Sequence, residues 1–137
     1  MTTVRQWFKT KGWTPQAFQK ECWKAYGEGK NGMLHAPTGS GKTFALWGGI
    51  LQEALKTKKN PVGIQALWIT PLRALAVEIQ QATQRMTSEL HPDLNIVLRT
   101  GDTSQSERAK QKRKPSFGLV TTPESLHVLL STKDHPK

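Results

Sequence analysis

Residues 36–43 combine glycine, lysine and threonine in the spacing of a loop that binds phosphate groups. Gly39 and Gly41 lack a Cβ atom, so the backbone can approach phosphate oxygens closely and adopt positive φ angles. Successive N–H groups and the start of a following helix then form a concave anion site. Lys42 is placed to reach the β- and γ-phosphates of a nucleotide, and the hydroxyl of Thr43 suits Mg²⁺. The spacing therefore predicts a site for a nucleoside triphosphate.

The sequence on either side of this loop supports the prediction. A short apolar run at residues 33–36 predicts a strand before it, and residues 44–55 carry the apolar spacing of an amphipathic helix after it. Strand, glycine-containing loop and helix form the context in which such a motif binds phosphate; the alternative is a glycine-rich turn before an ordinary core helix. The predicted nucleotide-binding residues of the loop are Pro37, Thr38, Gly39, Ser40, Gly41, Lys42 and Thr43. Lys42 and Thr43 are also the predicted catalytic residues, and Thr43 is the predicted metal contact.

The composition favours a polyanionic partner. The chain has 137 residues with 20 Lys and Arg against 10 Asp and Glu, which gives a formal net charge of +10. Such a balance is typical of nucleic-acid-binding proteins, although a solubilising surface is the alternative. The mean hydropathy of −0.55 predicts a soluble chain. No apolar run approaches the ~20 residues of a membrane span. The N-terminus has no secretory pattern, so the sequence predicts a cytoplasmic protein without membrane contact.

The cysteine and histidine content excludes two classes of site. A single cysteine, Cys22, cannot form an internal disulfide or a cysteine-based zinc site. The four histidines are scattered without the spacing of metal ligands. We therefore assign none of these residues a ligand role.

Helices and apolar strands alternate along the chain. Two helices are predicted near the N-terminus, one capped by Thr2 or Thr3 and ending near Gly12, the other starting near Pro15. Four apolar runs, each followed by a helix, predict strands at residues 33–36, 64–69, 95–98 and 117–121. This alternation is typical of an α/β fold in which helices cover both faces of a parallel sheet. We expect residues 1–31 to form N-terminal helices and residues 32–137 to form the sheet domain.

Each predicted strand ends in a loop rich in hydroxyl groups or glycine. These loops lie at residues 36–43, 70–73, 100–103 and 122–125. The carboxyl ends of parallel strands meet at one edge of a sheet, where ligands bind, so we expect one composite site. A basic helix is predicted after the third loop, with Ser104 and Glu107 as its capping box.

The loops resemble, in order and spacing, the motifs of superfamily-two DEAD/DExH-box helicases. Residues 36–43 resemble motif I, residues 70–76 motif Ia, residues 100–103 motif Ic and residues 122–126 motif Ib. Residues 12–19, with Trp13 and Gln19, resemble the Q motif. The resemblance covers nearly the whole chain and implies the first RecA-like domain, a P-loop NTPase fold, truncated after about four strands. It is closest to the Lhr (large helicase-related) type and, within it, to the ligase-associated DNA-damage-response group.

The resemblance implies roles for single residues and identifies ATP and Mg²⁺ as cofactors. Gln19 would read the adenine edge, and Trp13 or an aromatic residue upstream of it would pack on the base. The implied nucleic-acid contacts, to DNA rather than RNA, are Arg73, Thr100, Gly101, Thr122 and Pro123.

Each role has an alternative. Gln19 could be an ordinary helix residue, Thr100 and Thr122 could only cap helices, and Arg73 could be a surface charge. The tryptophans other than Trp13 are expected in the core. The basic cluster at residues 108–114 is either a solvated helix face or a second DNA contact.

One part of the helicase pattern is absent. No Asp-Glu pair occurs in the 137 residues, so motif II, which supplies the acidic Mg²⁺ ligand and orients the attacking water, is missing. We expect an inactive fragment whose partners are nucleic acid, the remainder of the helicase and DNA-repair proteins such as a ligase or nuclease. The alternatives are a non-catalytic nucleic-acid-binding module and a P-loop ATPase translocase of another family.

Overall fold

The computed structural model describes residues 3–36, 41–57 and 63–131. It confirms the α/β class, with helices and a parallel sheet. The chain divides into two compact units, Met1–Lys59 and Asn60–Lys137. The sequence placed a boundary at residue 31 instead, and that division into functional segments remains a prediction.

The first unit contains three helices: α1 (Val4–Thr10), α2 (Ala17–Gly27) and α3 (Lys42–Lys56). Thr3 begins α1 as predicted, because its hydroxyl accepts a hydrogen bond from the Gln6 N–H while the Gln6 side chain accepts one from the Thr3 N–H. This reciprocal pair satisfies two N–H groups that the helix itself leaves unpaired. The chain turns after α1 at Gly12, whose φ of 74° lies in the left-handed region.

Helices α2 and α3 pack against each other through a close contact between Trp23 and Gly48. The Trp23 indole N–H donates to the Phe44 carbonyl oxygen at 2.9 Å, which places the ring across α3. A Cβ atom on Gly48 would lie 2.7 Å from the ring atom Cε2, so only glycine fits there. Trp23 is 3% exposed and anchors this helix pair.

The prediction of a strand at residues 33–36 is wrong. This segment has no regular structure, and Met33 is 95% exposed. A parallel strand needs a neighbour that satisfies its backbone groups, and among the described residues the segment pairs with no strand. A short apolar run does not by itself distinguish a strand from an unpaired extended segment.

The second unit contains the sheet. Its strands are β1 (Ala66–Ile69), β2 (Ile96–Arg99) and β3 (Gly118–Thr121), and its helices are α4 (Arg73–Leu90), α5 (Gln105–Arg113) and α6 (Pro123–Ser131). The strands pair in parallel in the order β1-β3-β2. The three later strand predictions are confirmed with ends shifted by one or two residues, so the described sheet has three strands where the sequence predicted four.

The central strand of the sheet is the most buried. All four residues of β3 are buried, and the strand pairs with β1 on one side and with β2 on the other. In β1, by contrast, Leu67 is 50% and Ile69 is 47% exposed. The expected burial of both faces is therefore found for β3 and not for β1, which pairs on one side only within the described sheet. No helix among the described residues has the length and apolar character to cross a bilayer.

Replacing Gly48 by alanine should destabilise the first unit. In an open helix the change stabilises by about 0.5–1 kcal/mol, but here the new methyl group meets the Trp23 ring, and we expect a loss of about 1–3 kcal/mol. Urea unfolding followed by tryptophan fluorescence measures this. The control is Gly27→Ala, where the nearest atom is the movable Glu53 Oε1 at 3.0 Å. Equal effects of the two changes would contradict the role of the indole contact.

Candidate functional site

The first turn of α3 has the features of a helix start that can bind an anion. Gly41 occupies the N-cap position in the left-handed conformation, with φ 90° and ψ 25°, and has no side chain to cap the helix. Among the described residues no side chain accepts a hydrogen bond from the first N–H groups, and Lys42 and Thr43 are the first two helical residues. The rest of the predicted phosphate loop, Pro37, Thr38, Gly39 and Ser40, lies outside the described residues.

Gln19 links the start of α2 to the start of α3. It is 3% exposed, its Oε1 accepts a hydrogen bond from the Gln16 N–H at 2.8 Å, and its Nε2 donates to the Gly41 carbonyl oxygen at 3.2 Å. A Cβ atom on Gly41 would lie 2.6 Å from that nitrogen. The amide keeps one further N–H and one lone pair, so the adenine contact remains a prediction, while its contact with Gly41 is observed.

Trp13 belongs to an aromatic cluster beside the same helix start. Its ring lies 5.7 Å from those of Trp7 and Phe44 and 5.9 Å from that of Phe8. Phe44 directly follows Thr43, so the cluster packs against the first turn of α3. Trp13 is 46% exposed and can still offer a ring face to a base, in line with its predicted role.

The expected core position of the other tryptophans is found for three of the four. Trp7, Trp23 and Trp47 are buried, with 2–4% exposure, whereas Trp68 is only half-buried. A buried ring has no free face for a base. Sequence reasoning missed the part that Phe44 plays in the cluster, although its place directly after the Lys-Thr pair was visible.

In the second unit, three predicted loops meet at one edge of the sheet. Ile69, Arg99 and Thr121 lie level with one another in the parallel register, so the loops after β1, β2 and β3 leave from the same edge. A cleft of about 400 Å³ lies there, and Arg73, Gly101 and Thr122 line it. Thr100 and Pro123 are not among its lining residues.

Arg73 begins α4 and lies across the turn after β2. Its Nη1 is 3.2 Å from both carboxylate oxygens of Asp102, and a Cβ atom on Gly101 would lie 2.6 Å from its Nη2. Both partners are largely exposed, with side-chain exposures of 61% and 77%, so the ion pair contributes little stability. The N-cap residue Leu72 has no polar side chain to cap α4, and no other described side chain accepts from its first N–H groups beside the arginine.

The two threonines at this edge shape the loops. Thr122 is 2% exposed, and its hydroxyl accepts from the Ser125 N–H at 3.4 Å, which caps α6. Thr100 is 4% exposed, and its hydroxyl accepts from the Asp102 N–H at 3.2 Å. The capping alternative is thus observed for Thr122, while the Thr100 hydroxyl holds a turn. The exposed Pro123 occupies the first position of α6, where its missing N–H costs nothing.

Two further arginines contribute positive charge to the cleft. Arg99 and Arg108 line it, and neither forms an ion pair with another described residue. Arg108 donates to the carbonyl oxygens of Thr100 and Thr103, both at 3.1 Å. Burial, and secondarily the charge of Arg108, lower the pKa of Arg99 from its ordinary value. Sequence reasoning missed Arg99, although its place at the end of a strand before a Thr-Gly turn was a usable signal.

A glycine loop at an uncapped helix start and a basic cleft at a sheet edge are features of proteins that use a nucleotide to act on nucleic acid. The chain belongs to the DEAD/DEAH box helicase family, whose model matches residues 16–136. This agrees with the motif resemblance and supports ATP binding and nucleic-acid binding as family properties.

Lhr helicases are among its similar proteins. It is 36% identical over 141 residues to the Lhr helicase/probable uracil glycosylase of Mycolicibacterium smegmatis, covering 94% of this chain and 9% of that protein. It is 38% identical over 136 residues to the ATP-dependent helicase Lhr-Core of Sulfolobus acidocaldarius, covering 93% of this chain and 16% of that one. The resemblance to the Lhr type is therefore confirmed.

A solved structure of a similar protein has the same fold. Mycobacterium smegmatis helicase Lhr, determined with single-stranded DNA and AMP-PNP, superposes with a TM-score of 0.74 at 31% identity. The match covers 96% of this chain and 18% of that one. This chain thus spans between about a tenth and a fifth of the relatives named here.

Replacing Gln19 by leucine should loosen the contact between α2 and Gly41. The change leaves the Gln16 N–H and the Gly41 carbonyl without their partner, and we expect a loss of about 1–3 kcal/mol. Urea unfolding measures it, with Lys20→Leu, an exposed neighbour on the same helix, as the control. If both variants unfold like the parent chain, the hydrogen bonds of Gln19 do not hold the helix start.

Proposed function

We propose that this chain is the ATP-binding and DNA-binding front part of an ATP-dependent DNA helicase. The observation that carries the proposal is the cleft at the carboxyl edge of the sheet, where three loops from distant parts of the sequence meet. Three arginines and one carboxylate line it: Arg73, Arg99, Arg108 and Glu124. A cleft lined mainly by one sign of charge concentrates a polyanion.

The nucleotide half of the proposal rests on the start of α3. Its first N–H groups would donate hydrogen bonds to phosphate oxygens, Lys42 would neutralise the terminal phosphates, and the Thr43 hydroxyl would contact Mg²⁺. Gln19 and Trp13 would hold the adenine. ATP bound there would supply the terminal phosphoryl group whose transfer to water drives a helicase cycle. The Mycobacterium smegmatis relative, solved with AMP-PNP, supports this assignment.

The nucleic-acid half rests on groups that recognise phosphate and carry no base information. Arg73 and the start of α4 would bind one phosphate of a strand, with Gly101 leaving room for the arginine to lie against the turn. Thr100, Thr122 and Pro123 would contribute through the loop backbones that they hold in place. Indifference to sequence is what a translocating motor needs. The single-stranded DNA in the same relative favours DNA over RNA.

Finer aspects of the function belong to the same proposal. The sequence resemblance to the ligase-associated group supports a role in DNA repair, with a ligase or nuclease and the remainder of a helicase as partners. A cytoplasmic location remains a prediction. Because the chain has no Asp-Glu pair, we propose that it binds ATP without hydrolysing it.

A second candidate function is a nucleic-acid-binding module that works without ATP. It is favoured by one observation: every residue that lines the basic cleft lies in the second unit, Asn60–Lys137. The two candidate functions differ in whether binding of ATP changes the affinity of the chain for DNA. DNA binding that is the same with and without AMP-PNP would favour the module.

Replacing Arg73 by alanine should weaken binding to single-stranded DNA equally for all sequences. Losing one phosphate contact should reduce the slope of log affinity against log salt by about 0.7. Fluorescence anisotropy with a salt series measures this. The matched control is Arg85→Ala, an exposed arginine of the same helix about 18 Å further along. If Arg85→Ala changes the slope as much as Arg73→Ala, general charge and not the cleft governs binding.

Replacing Lys42 by alanine should weaken ATP binding by about 10- to 100-fold, since one charge-assisted contact is lost. Calorimetry measures the affinity, with Lys56→Ala at the other end of α3 as the control. A phosphate-release assay on the parent chain should show no turnover. Hydrolysis by the parent chain that Lys42→Ala abolishes would contradict the proposed inactivity.

A further inference from the structure

A second cavity lies beside the basic cleft in the second unit. It measures about 390 Å³, within the range of small-molecule sites, and lies between strands β2 and β3 and helices α5 and α6. Arg99, Arg108 and Val128 line both spaces, so the cavity adjoins the cleft at its arginine end. A ligand that contacts these guanidinium groups in the cleft can therefore also extend into the cavity.

The cavity has a charged end and apolar walls. Away from the arginines its walls are largely aliphatic, formed in part by Val97, Ala109, Leu119 and Leu129. Apolar walls favour a flat, weakly hydrated body, and the arginines favour an anion attached to it.

One polar side chain in the wall has an unused acceptor. Gln111 is 9% exposed and lines the cavity, and its Nε2 donates to the Leu98 carbonyl oxygen at 3.1 Å. Its Oε1 is buried without a hydrogen-bond donor among the described residues. A buried acceptor left unpaired costs free energy. A ligand that brings an N–H group to this wall would remove that cost.

The arginine pair has no acidic partner among the described residues, although Arg108 donates hydrogen bonds to the carbonyl oxygens of Thr100 and Thr103. Arg99 and Arg108 carry like charges and form no ion pair with the described residues. Their mutual repulsion is relieved when an anion lies between them, and a phosphate group accepts hydrogen bonds from guanidinium in a well-matched geometry. A nucleotide unites all the required features: a phosphate, a flat base and N–H groups on the edge of that base.

We propose that this cavity receives one base of the bound strand, whose phosphate lies on Arg99 and Arg108. The inference rests on the proposed function, since it places a nucleotide of the strand that occupies the cleft. A single strand loses only stacking when one base turns aside, so the cost is smaller than in a duplex. The cavity would hold one nucleotide in a fixed position each time the strand binds. It would make no contact that selects a sequence of several bases.

The test uses the 137-residue chain and a short oligothymidylate carrying one 2-aminopurine, moved through each position in turn. The fluorescence of 2-aminopurine rises when it leaves the base stack, whereas anisotropy of a terminal dye reports binding of the whole strand. We expect a rise on binding at the positions that reach the cavity, which can be more than one because the strand has no preferred register. Strand binding and base insertion are thereby read out separately.

Ala109→Trp fills the cavity from its exposed side and leaves the cleft arginines in place. It should abolish most of the rise and weaken strand binding by about tenfold, because the apolar contact of one base is lost. Leu130→Trp is the control, because it adds the same ring at an exposed position of α6 that lines neither space. Circular dichroism of each variant verifies folding.

The outcomes separate the two proposals. Strand binding without a rise at any position, or a rise that persists in Ala109→Trp, overturns the base-insertion proposal and leaves the cleft proposal standing. Absence of strand binding overturns the cleft proposal, and this one with it. Adenosine monophosphate is the probe for a free nucleotide: if it shifts the Gln111 amide signals in NMR spectra while the strand produces no rise, the occupant is a free nucleotide and the strand proposal fails.

Discussion

The pairing of β3 with both neighbouring strands is the constraint on which the second unit depends. Thr121 lies level with Ile69 on one side and Arg99 on the other, so all three strands end together. The burial of all four β3 residues stabilises this arrangement through the hydrophobic effect. Loops that are about 50 residues apart in sequence, such as those of Arg73 and Thr122, therefore reach one cleft. The chemistry of the edge follows from the core of the sheet, because the core fixes where each loop begins.

The second feature of the carboxyl edge of the sheet is positive charge that nearby carboxylates neutralise only weakly or not at all. The Arg73–Asp102 pair is exposed and weak, so a phosphate group can compete for the arginine. Arg99 is partly buried and lies near Arg108, and both effects lower its pKa. It has no carboxylate partner among the described residues. Such charges are costly in the free protein, and a bound polyanion offsets the cost. The threonines act differently, since their hydroxyls are used to cap α6 and to hold the turn after β2.

In the first unit, one glutamine connects two functions that the sequence treats as separate motifs. Gln19 orders the start of α2 through the Gln16 N–H and contacts the N-cap of α3 through the Gly41 carbonyl. The residue proposed to read the base thus touches Gly41 of the phosphate loop. Around them, Trp7, Phe8, Trp13 and Phe44 form an aromatic support for the same helix start. Rigid packing of this kind fixes the direction of the helix N–H groups.

The sequence by itself determined the α/β class, the capped start of α1, the alternation of strands and helices, and the loops that carry the motifs, because local periodicity and cap chemistry depend on near neighbours. It also placed Arg73, Gly101 and Thr122 at one edge of the sheet. Only the tertiary structure decided that residues 33–36 form no strand, that Leu67 and Ile69 of β1 stay half-exposed, and that Arg99 and Arg108 meet beside an apolar cavity. These facts depend on which distant segment supplies a backbone partner or a neighbouring charge, and periodicity within one segment does not contain that information.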